Sequence, residues 1–363
     1  MSKEYTWRDY GELYAQLRAE ARRIAVVRAL YLGDFLVATP AVWSLRHAFP
    51  DAELSFIGLP WMDGLVQRLG VDRFLPFPGY PGIPEVPYTE RETARFLAQH
   101  AGELDLVVQL HGNGSIINGF VGALGARHSL GYTIGGTPST ALTLPVRYPG
   151  DGLHQVPKWL RLVERIGVKP LGNHLVWPVT DADQRELERL APGLNVATGP
   201  LVGLHPGAKV PARRWPPARF AAVADRLQQE VGATVVLLGG PDERPIAERV
   251  LAAMCGTAVD LVGRTSVAVL GALVARLDLL VADDSGPAHL AAALDTPSVQ
   301  LWGPGDPPSW GPLDQLRHRV LSVDAACSPC GFAECPIDHR CMLGIEVDEV
   351  LAAARAQLAH SSL

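Results

Sequence analysis

"LDLLVADDSGPAHLAAALDTPSVQLWGP", residues 277–304, contains a complete repeat of an open parallel sheet. "LDLLVA" is an apolar run of strand length, "DDSGP" a turn, "AHLAAAL" an Ala-rich helix, and "PSVQLW" a second strand-like run. At such a turn Ser285, Gly286 and the following backbone N–H groups aim their donors, with the helix dipole, at an anion. A phosphate fits that position. Asp284 has three readings: orienting donors, capping the helix, or sharing Mg with the phosphates. His289, one turn inside the helix, reads either as a ligand contact or as a core histidine.

The same rhythm recurs on both sides of this stretch. "RIAVVRAL" (23–30), "ELSFIG" (53–58) and "LDLVVQLH" (104–111) mark strands in the first half. "PLVGLHPG" (200–207) and "ATVVLLGG" (233–240) restart the pattern after a polar, Pro-containing segment at 178–199. The pattern predicts an α/β chain of two Rossmann-like domains, 23–185 and 186–363, behind a helical extension over 1–22. Ligands of open parallel sheets bind beyond the carboxyl ends of the strands, so the expected site is the cleft between the domains. The last helical segment, "VDEVLAAARAQLAH" (347–360), fits either domain.

Length and composition agree: 363 residues suit two domains, and 48% hydrophobic with 19% charged residues suits a well-packed core. A net charge of −6 argues against a general nucleic-acid binder. The charged amino terminus lacks the apolar centre of a signal peptide. The most apolar stretch, 267–282, is broken by Arg276 and Asp278. A cytoplasmic protein is expected, with at most peripheral contact with the inner membrane.

Candidate residues sit at the strand ends. Gly33 permits close backbone approach. Asp34 is a helix cap or a general base, and Thr39 with Pro40 reads as a helix cap and first-turn proline. Lys209, Arg213 and Arg214 occupy a Gly-rich loop suited to a diphosphate, while Trp215 reads as packing. Asp242 or Glu243 can accept from ribose hydroxyls or favour the amino end of the next helix. "QLHGNGSIINGF" (109–120) offers His111, Asn113 and Ser115, as acceptor contacts or as turn residues.

Together "GDFLVATPAVWSLRHAFPDAEL", "HPGA", "RRWPPARFAAVADRL", "LLGGPDE", "LVGRTS" and "DDSGPAHLAAALDTPSVQLWGP" resemble glycosyltransferase family 9, the ADP-heptose:lipopolysaccharide heptosyltransferases, over about residues 23–355. The resemblance implies a GT-B fold and inverting transfer of heptose from ADP-L-glycero-β-D-manno-heptose to a sugar hydroxyl of the lipopolysaccharide inner core. It implies Asp34 as base and Arg213, where the family usually has Lys, on the departing diphosphate. Gly33, Lys209, Asp284, Ser285, Gly286 and His289 then join the donor site, with Asp242 as the ribose acid. Where the family shows an Asp and a Gln, this chain has Gln109 and His111. A protein, antibiotic or other small glycoside as acceptor is the alternative, as is a non-catalytic nucleotide-sugar-binding module.

"CSPCGFAECPIDHRC" (327–341) clusters Cys327, Cys330, Cys335 and Cys341, and the fifth cysteine, Cys255, reads as a buried small hydrophobe. Two close pairs in a cytoplasmic protein suit a metal better than disulfides. Relatives that bind iron through four cysteines imply a structural Zn or Fe there; the alternative is reduced thiols, or disulfides formed on isolation. Catalysis itself requires no cofactor on this reading.

Overall fold

The computed structural model describes residues 7–134 and 141–361. The chain divides into two compact units, Met1–Val176 and Trp177–Leu363. The first holds strands β1 (Arg23–Val27), β2 (Glu53–Gly58), β3 (Arg73–Pro76), β4 (Leu106–Gln109), β5 (His128–Thr133) and β6 (Leu144–Arg147). The second holds β7 (Leu201–His205), β8 (Thr234–Leu237), β9 (Val259–Asp260), β10 (Leu279–Asp283), β11 (Ser298–Trp302) and β12 (His318–Ser322).

Each unit contains a parallel six-stranded sheet. The orders are β3-β2-β1-β4-β5-β6 and β12-β11-β10-β7-β8-β9. Read from β7, the second order repeats the first, so both are doubly wound sheets. The winding reverses between β1 and β4 in one and between β7 and β10 in the other. Helices cover both faces of such a sheet, and the central strands are apolar on both sides: β7, β10 and β11 are buried throughout. That is why these strands read as unbroken runs and not as alternating ones.

Helix starts follow local chemistry. Thr180 and Asp183 form a capping box on the helix Asp181–Leu190, which packs on Val267–Val274 within the second unit. Thr39, expected as a cap, is instead the first residue of the helix Thr39–Ala48. Its hydroxyl donates to Leu36 O at 2.7 Å and accepts the Val176 N–H at 2.8 Å, which holds the end of the first unit in place. Ordinary capping is thereby replaced by a tertiary bond. Cys255, expected in a core, is exposed, in a loop where its N–H and that of Gly256 bind the Asp225 carboxylate.

The two terminal helices find definite partners. In the helix Trp7–Glu20, Leu17 is buried, Tyr14 meets Phe49 edge-on and Arg18 donates to Ala48 O at 2.8 Å. The helix Val347–Ser361 packs on the second unit, where Val350, Leu351 and Ala354 join a core with Trp215, Phe220 and Leu301. In the first unit Phe120 is fully buried, with its ring centroid 5.1 Å from Phe77, 5.8 Å from Tyr80 and 5.9 Å from Phe96. We expect Phe120→Ala to cost about 3–5 kcal/mol in urea unfolding through loss of that cluster; a change under about 1 kcal/mol would contradict this packing.

Candidate functional site

The second unit gathers its polar residues where β7 and β10 part. Asp283 ends β10 fully buried, and both its carboxylate oxygens accept the Trp215 N–H, at 3.1 and 3.2 Å. Burial pushes this carboxyl well above the ordinary range. The Trp215 N–H opposes the rise, and the Asp284 and Glu243 charges add to it. Trp215 is itself anchored by Nε1 donating to Ile345 O at 3.0 Å. The loop between β7 and Trp215 is therefore tied at its far end to β10.

That loop carries Arg213, whose Nη1 lies 2.9 Å from Asp284 Oδ2. Of Asp284's three readings, orienting donors is the one this ion pair supports. Arg214 Nε donates to Ala208 O at 2.8 Å and braces the loop from within, while Lys209 is exposed. Ser285 precedes the helix Gly286–Ala293, and its side chain makes no capping bond. Its Oγ instead donates to Asp283 O at 2.8 Å and lies 3.0 Å from His205 Nδ1. Gly286 begins the helix, and His289 is half-buried one turn on.

Of the two acids after β8, Asp242 is exposed and Glu243 faces the site. Glu243 Oε2 accepts the Gly240 N–H at 2.7 Å and lies 3.1 Å from His205 Nε2. Burial raises the Glu243 carboxyl, but His205 and the Gly240 N–H outweigh it and hold it down at about 2. The fit is close: a Cβ on Gly207 would stand 2.0 Å from Glu243 Oε1. His205 thus bridges the ends of three strands, contacting Glu243 on one side and Ser285 on the other. Sequence reading missed His205 and Asp283, although each is a polar residue closing an apolar strand, and that is the signal that could have found them.

In the first unit Asp34 lies in the short helix Leu32–Leu36, with Gly33 beside it, just past β1. Arg28, also missed, is 1% exposed and donates to the carbonyls of Asp34 and Leu110. Its Nη2 stands 3.8 Å from Asp34 Oδ1, and its guanidinium stacks 4.8 Å from the Trp159 ring. Burial brings Arg28 down to about 10 despite the Asp34 charge, so it stays a cation at neutral pH. His111, past β4, is buried; its Nδ1 accepts the Ala29 N–H at 3.3 Å, so its proton sits on Nε2. Asn113 Oδ1 accepts the Ser115 N–H at 3.1 Å, a turn contact, and Ser115 is exposed.

Cys327, Cys330, Cys335 and Cys341 are free thiols. Among the described residues no three His, Cys, Asp or Glu side chains are grouped to hold a metal ion. The four thiols as placed do not fit a Zn or Fe site. Asp284, for which sharing a Mg ion is one of three readings, is engaged with Arg213.

The His111 environment has a measurable consequence. Burial and then the Arg28 charge lower its pKa to about 3, so the folded state resists a proton that the unfolded chain accepts near 6.5. Its contribution to stability is full above pH 6.5 and is lost as pH falls from 6.5 toward 3. Urea midpoints measured from pH 7 to 4 should fall less steeply in His111→Gln than in the wild type; equal slopes would contradict the neutral, buried imidazole.

Residues 101–340 match the family model for glycosyltransferase family 9 (heptosyltransferase). Lipooligosaccharide heptosyltransferase 2 of Campylobacter jejuni is 26% identical over 338 residues, covering 92% of this chain and 97% of its own. Lipopolysaccharide heptosyltransferase 2 of Escherichia coli is 26% identical over 326 residues, covering 84% and 92%. Among solved structures, a family 9 glycosyl transferase from Veillonella parvula gives a TM-score of 0.78 at 22% identity, over 93% of this chain and 98% of that one. The ADP-heptose lps heptosyltransferase II of E. coli gives 0.73 at 21%, over 94% and 100%. The shared architecture, two doubly wound parallel-sheet units, is the GT-B fold. By its family match across most of the second unit and part of the first, the chain belongs to glycosyltransferase family 9, the heptosyltransferases.

Proposed function

We propose that this glycosyltransferase moves L-glycero-D-manno-heptose from its β-linked ADP donor to a sugar hydroxyl of the lipopolysaccharide inner core, with inversion. The observation that carries the reading is the Arg213–Asp284 pair beside the amino end of the helix Gly286–Ala293, at the winding reversal of the second sheet. Helix N–H groups and a guanidinium held by a buried acid form a diphosphate site. Relatives named as lipopolysaccharide heptosyltransferases support the acceptor class, and a structural neighbour named for ADP-heptose supports the donor.

The chemistry is assigned residue by residue. Asp34 takes the proton of the acceptor hydroxyl while its oxygen attacks the anomeric carbon from the face opposite ADP. The C–O bond to ADP breaks as the new one forms, which inverts the anomeric centre. Arg213 and the backbone N–H groups of Ser285, Gly286 and Ala288 stabilise the diphosphate as its charge grows, with Lys209 adding a mobile cation. Glu243 Oε1 accepts from the ribose hydroxyls, because the Gly240 and His205 contacts fall on Oε2. This moves the ribose role from the expected Asp242 to its neighbour. His111 donates Nε2–H toward the acceptor, with Asn113 and Ser115 shaping the turn beside it. The Zn, Fe and Mg readings supply no step.

The enzyme is read as cytoplasmic, at most touching the inner membrane; among the described residues no helix is long and apolar enough to cross one.

Asp34→Asn should lower acceptor-dependent ADP release from ADP-heptose, with a Kdo-bearing lipid A acceptor, by about 10²–10⁴-fold while leaving ADP affinity unchanged. Retained turnover would remove Asp34 as base, and donor binding without release from this acceptor would point to another acceptor class. Glu243→Gln should raise the donor KM by roughly ten- to a hundredfold, with Asp242→Asn near wild type; the reverse ranking would return the ribose role to Asp242.

A further inference from the structure

The segment 327–341 has no part in the mechanism above, yet it touches the backbone on both sides of the Arg213–Asp284 pair. On the Arg213 side it holds Ala212, the buried residue immediately before Arg213. The Ala212 N–H donates to Ala333 O at 2.9 Å, and its carbonyl accepts from His339 Nε2 at 2.7 Å. Both backbone polar groups of Ala212 therefore bond to the same segment. On the Asp284 side, Ser328 Oγ donates to Gly303 O at 2.8 Å and the Cys330 N–H to Pro304 O at 3.0 Å. The next residue, Gly305, packs so closely that a Cβ there would stand 2.6 Å from Asp284 Oδ2.

His339 is the residue whose conformation shows a constraint. It is one of two non-glycine residues with positive φ among the described residues, at φ 56° and ψ 27°. A residue with a Cβ adopts that region only at a cost, which its surroundings must offset. Two bonds do so. Its N–H donates to Cys335 Sγ at 3.2 Å, and its ring reaches Ala212 O. A carbonyl can only accept, so the bond requires the proton on Nε2. The turn Pro211–Arg213 is short and internally bonded, with Arg213 N donating to Val210 O at 3.0 Å, so a shift of Ala212 carries Arg213 with it.

We propose that the cysteine-rich segment is a clamp that sets the position of Arg213 against Asp284, with His339 as its positioning residue and Cys335 as the seat of that histidine. This rests on the reading that Arg213 meets the donor diphosphate. The thiols then serve by shape and hydrogen bonding at the edge of the phosphate site, and the segment acts on donor binding without touching the donor.

Calorimetric affinities for ADP and for adenosine separate this from general damage to the fold. His339→Gly accepts the positive φ but removes the ring, and should weaken ADP by about tenfold while leaving adenosine unchanged. His339→Gln, which keeps a donor of similar reach, should recover most of the loss. In an Arg213→Ala background, His339→Gly should add nothing further, because both changes act through one contact. Wild-type ADP affinity in His339→Gly, equal loss of ADP and adenosine, or additive losses in the double variant would overturn the clamp. If Arg213→Ala alone leaves ADP affinity intact, the diphosphate role of Arg213 fails first and the clamp with it. Should His339→Gly not fold, Cys335→Ala, which removes only the sulfur acceptor, is scored by the same cycle.

Discussion

The bond from the Trp215 N–H to Asp283 is the constraint on which the candidate site of the second unit depends. It joins the far end of the loop after β7 to the end of β10, across the point where the sheet reverses its winding. With one end of the loop leaving β7 and the other held on β10, Arg213 has little choice but to face Asp284. A fully buried carboxyl is costly unless it is hydrogen-bonded, so loss of the Trp215 bond would expose that cost as well as release the loop. The two consecutive acids therefore divide the work: Asp283 positions the backbone and Asp284 orients a cation.

The first unit solves a related problem with a buried cation. Arg28 lies at the carboxyl end of β1 with its charge removed from water, which costs several kcal/mol. The attraction to Asp34 at 3.8 Å recovers about 4 kcal/mol at an effective dielectric near 20. The rest comes from the carbonyls of Asp34 and Leu110 and from stacking on Trp159. The balance leaves Arg28 protonated at neutral pH, with its pKa at about 10. Such a cation, bonded to the Asp34 carbonyl and 3.8 Å from its carboxylate, fixes the position of that residue just past β1.

Much of this was legible before folding because parallel sheets leave a strong trace. Strands covered on both faces become unbroken apolar runs, and the turns after them concentrate glycine, serine and acids. That is how Asp34, Arg213, Asp284, Ser285 and Gly286 stood out, and how the family resemblance came to rest on them. The choice between Asp242 and Glu243 was different. Both are acids in one turn, and only the approach of His205 from another strand and the missing Cβ of Gly207 show which of them turns toward the end of β7. Thr39 behaved similarly: its local pattern is that of a cap, but the Val176 N–H claims its hydroxyl.

Sequence alone determined the fold class, the two-sheet organisation and the short list of polar residues at strand ends, because these follow from local periodicity and turn chemistry. Tertiary structure alone decided which of those residues meet. It packed the helix Val347–Ser361 against the second unit, put Arg28 behind Asp34, and brought the cysteine-rich segment, over a hundred residues away in the chain, onto both polar groups of Ala212. The reason is that hydrogen bonds and ion pairs at the strand ends join loops distant in sequence, and their partners are set by sheet order, which no single segment encodes.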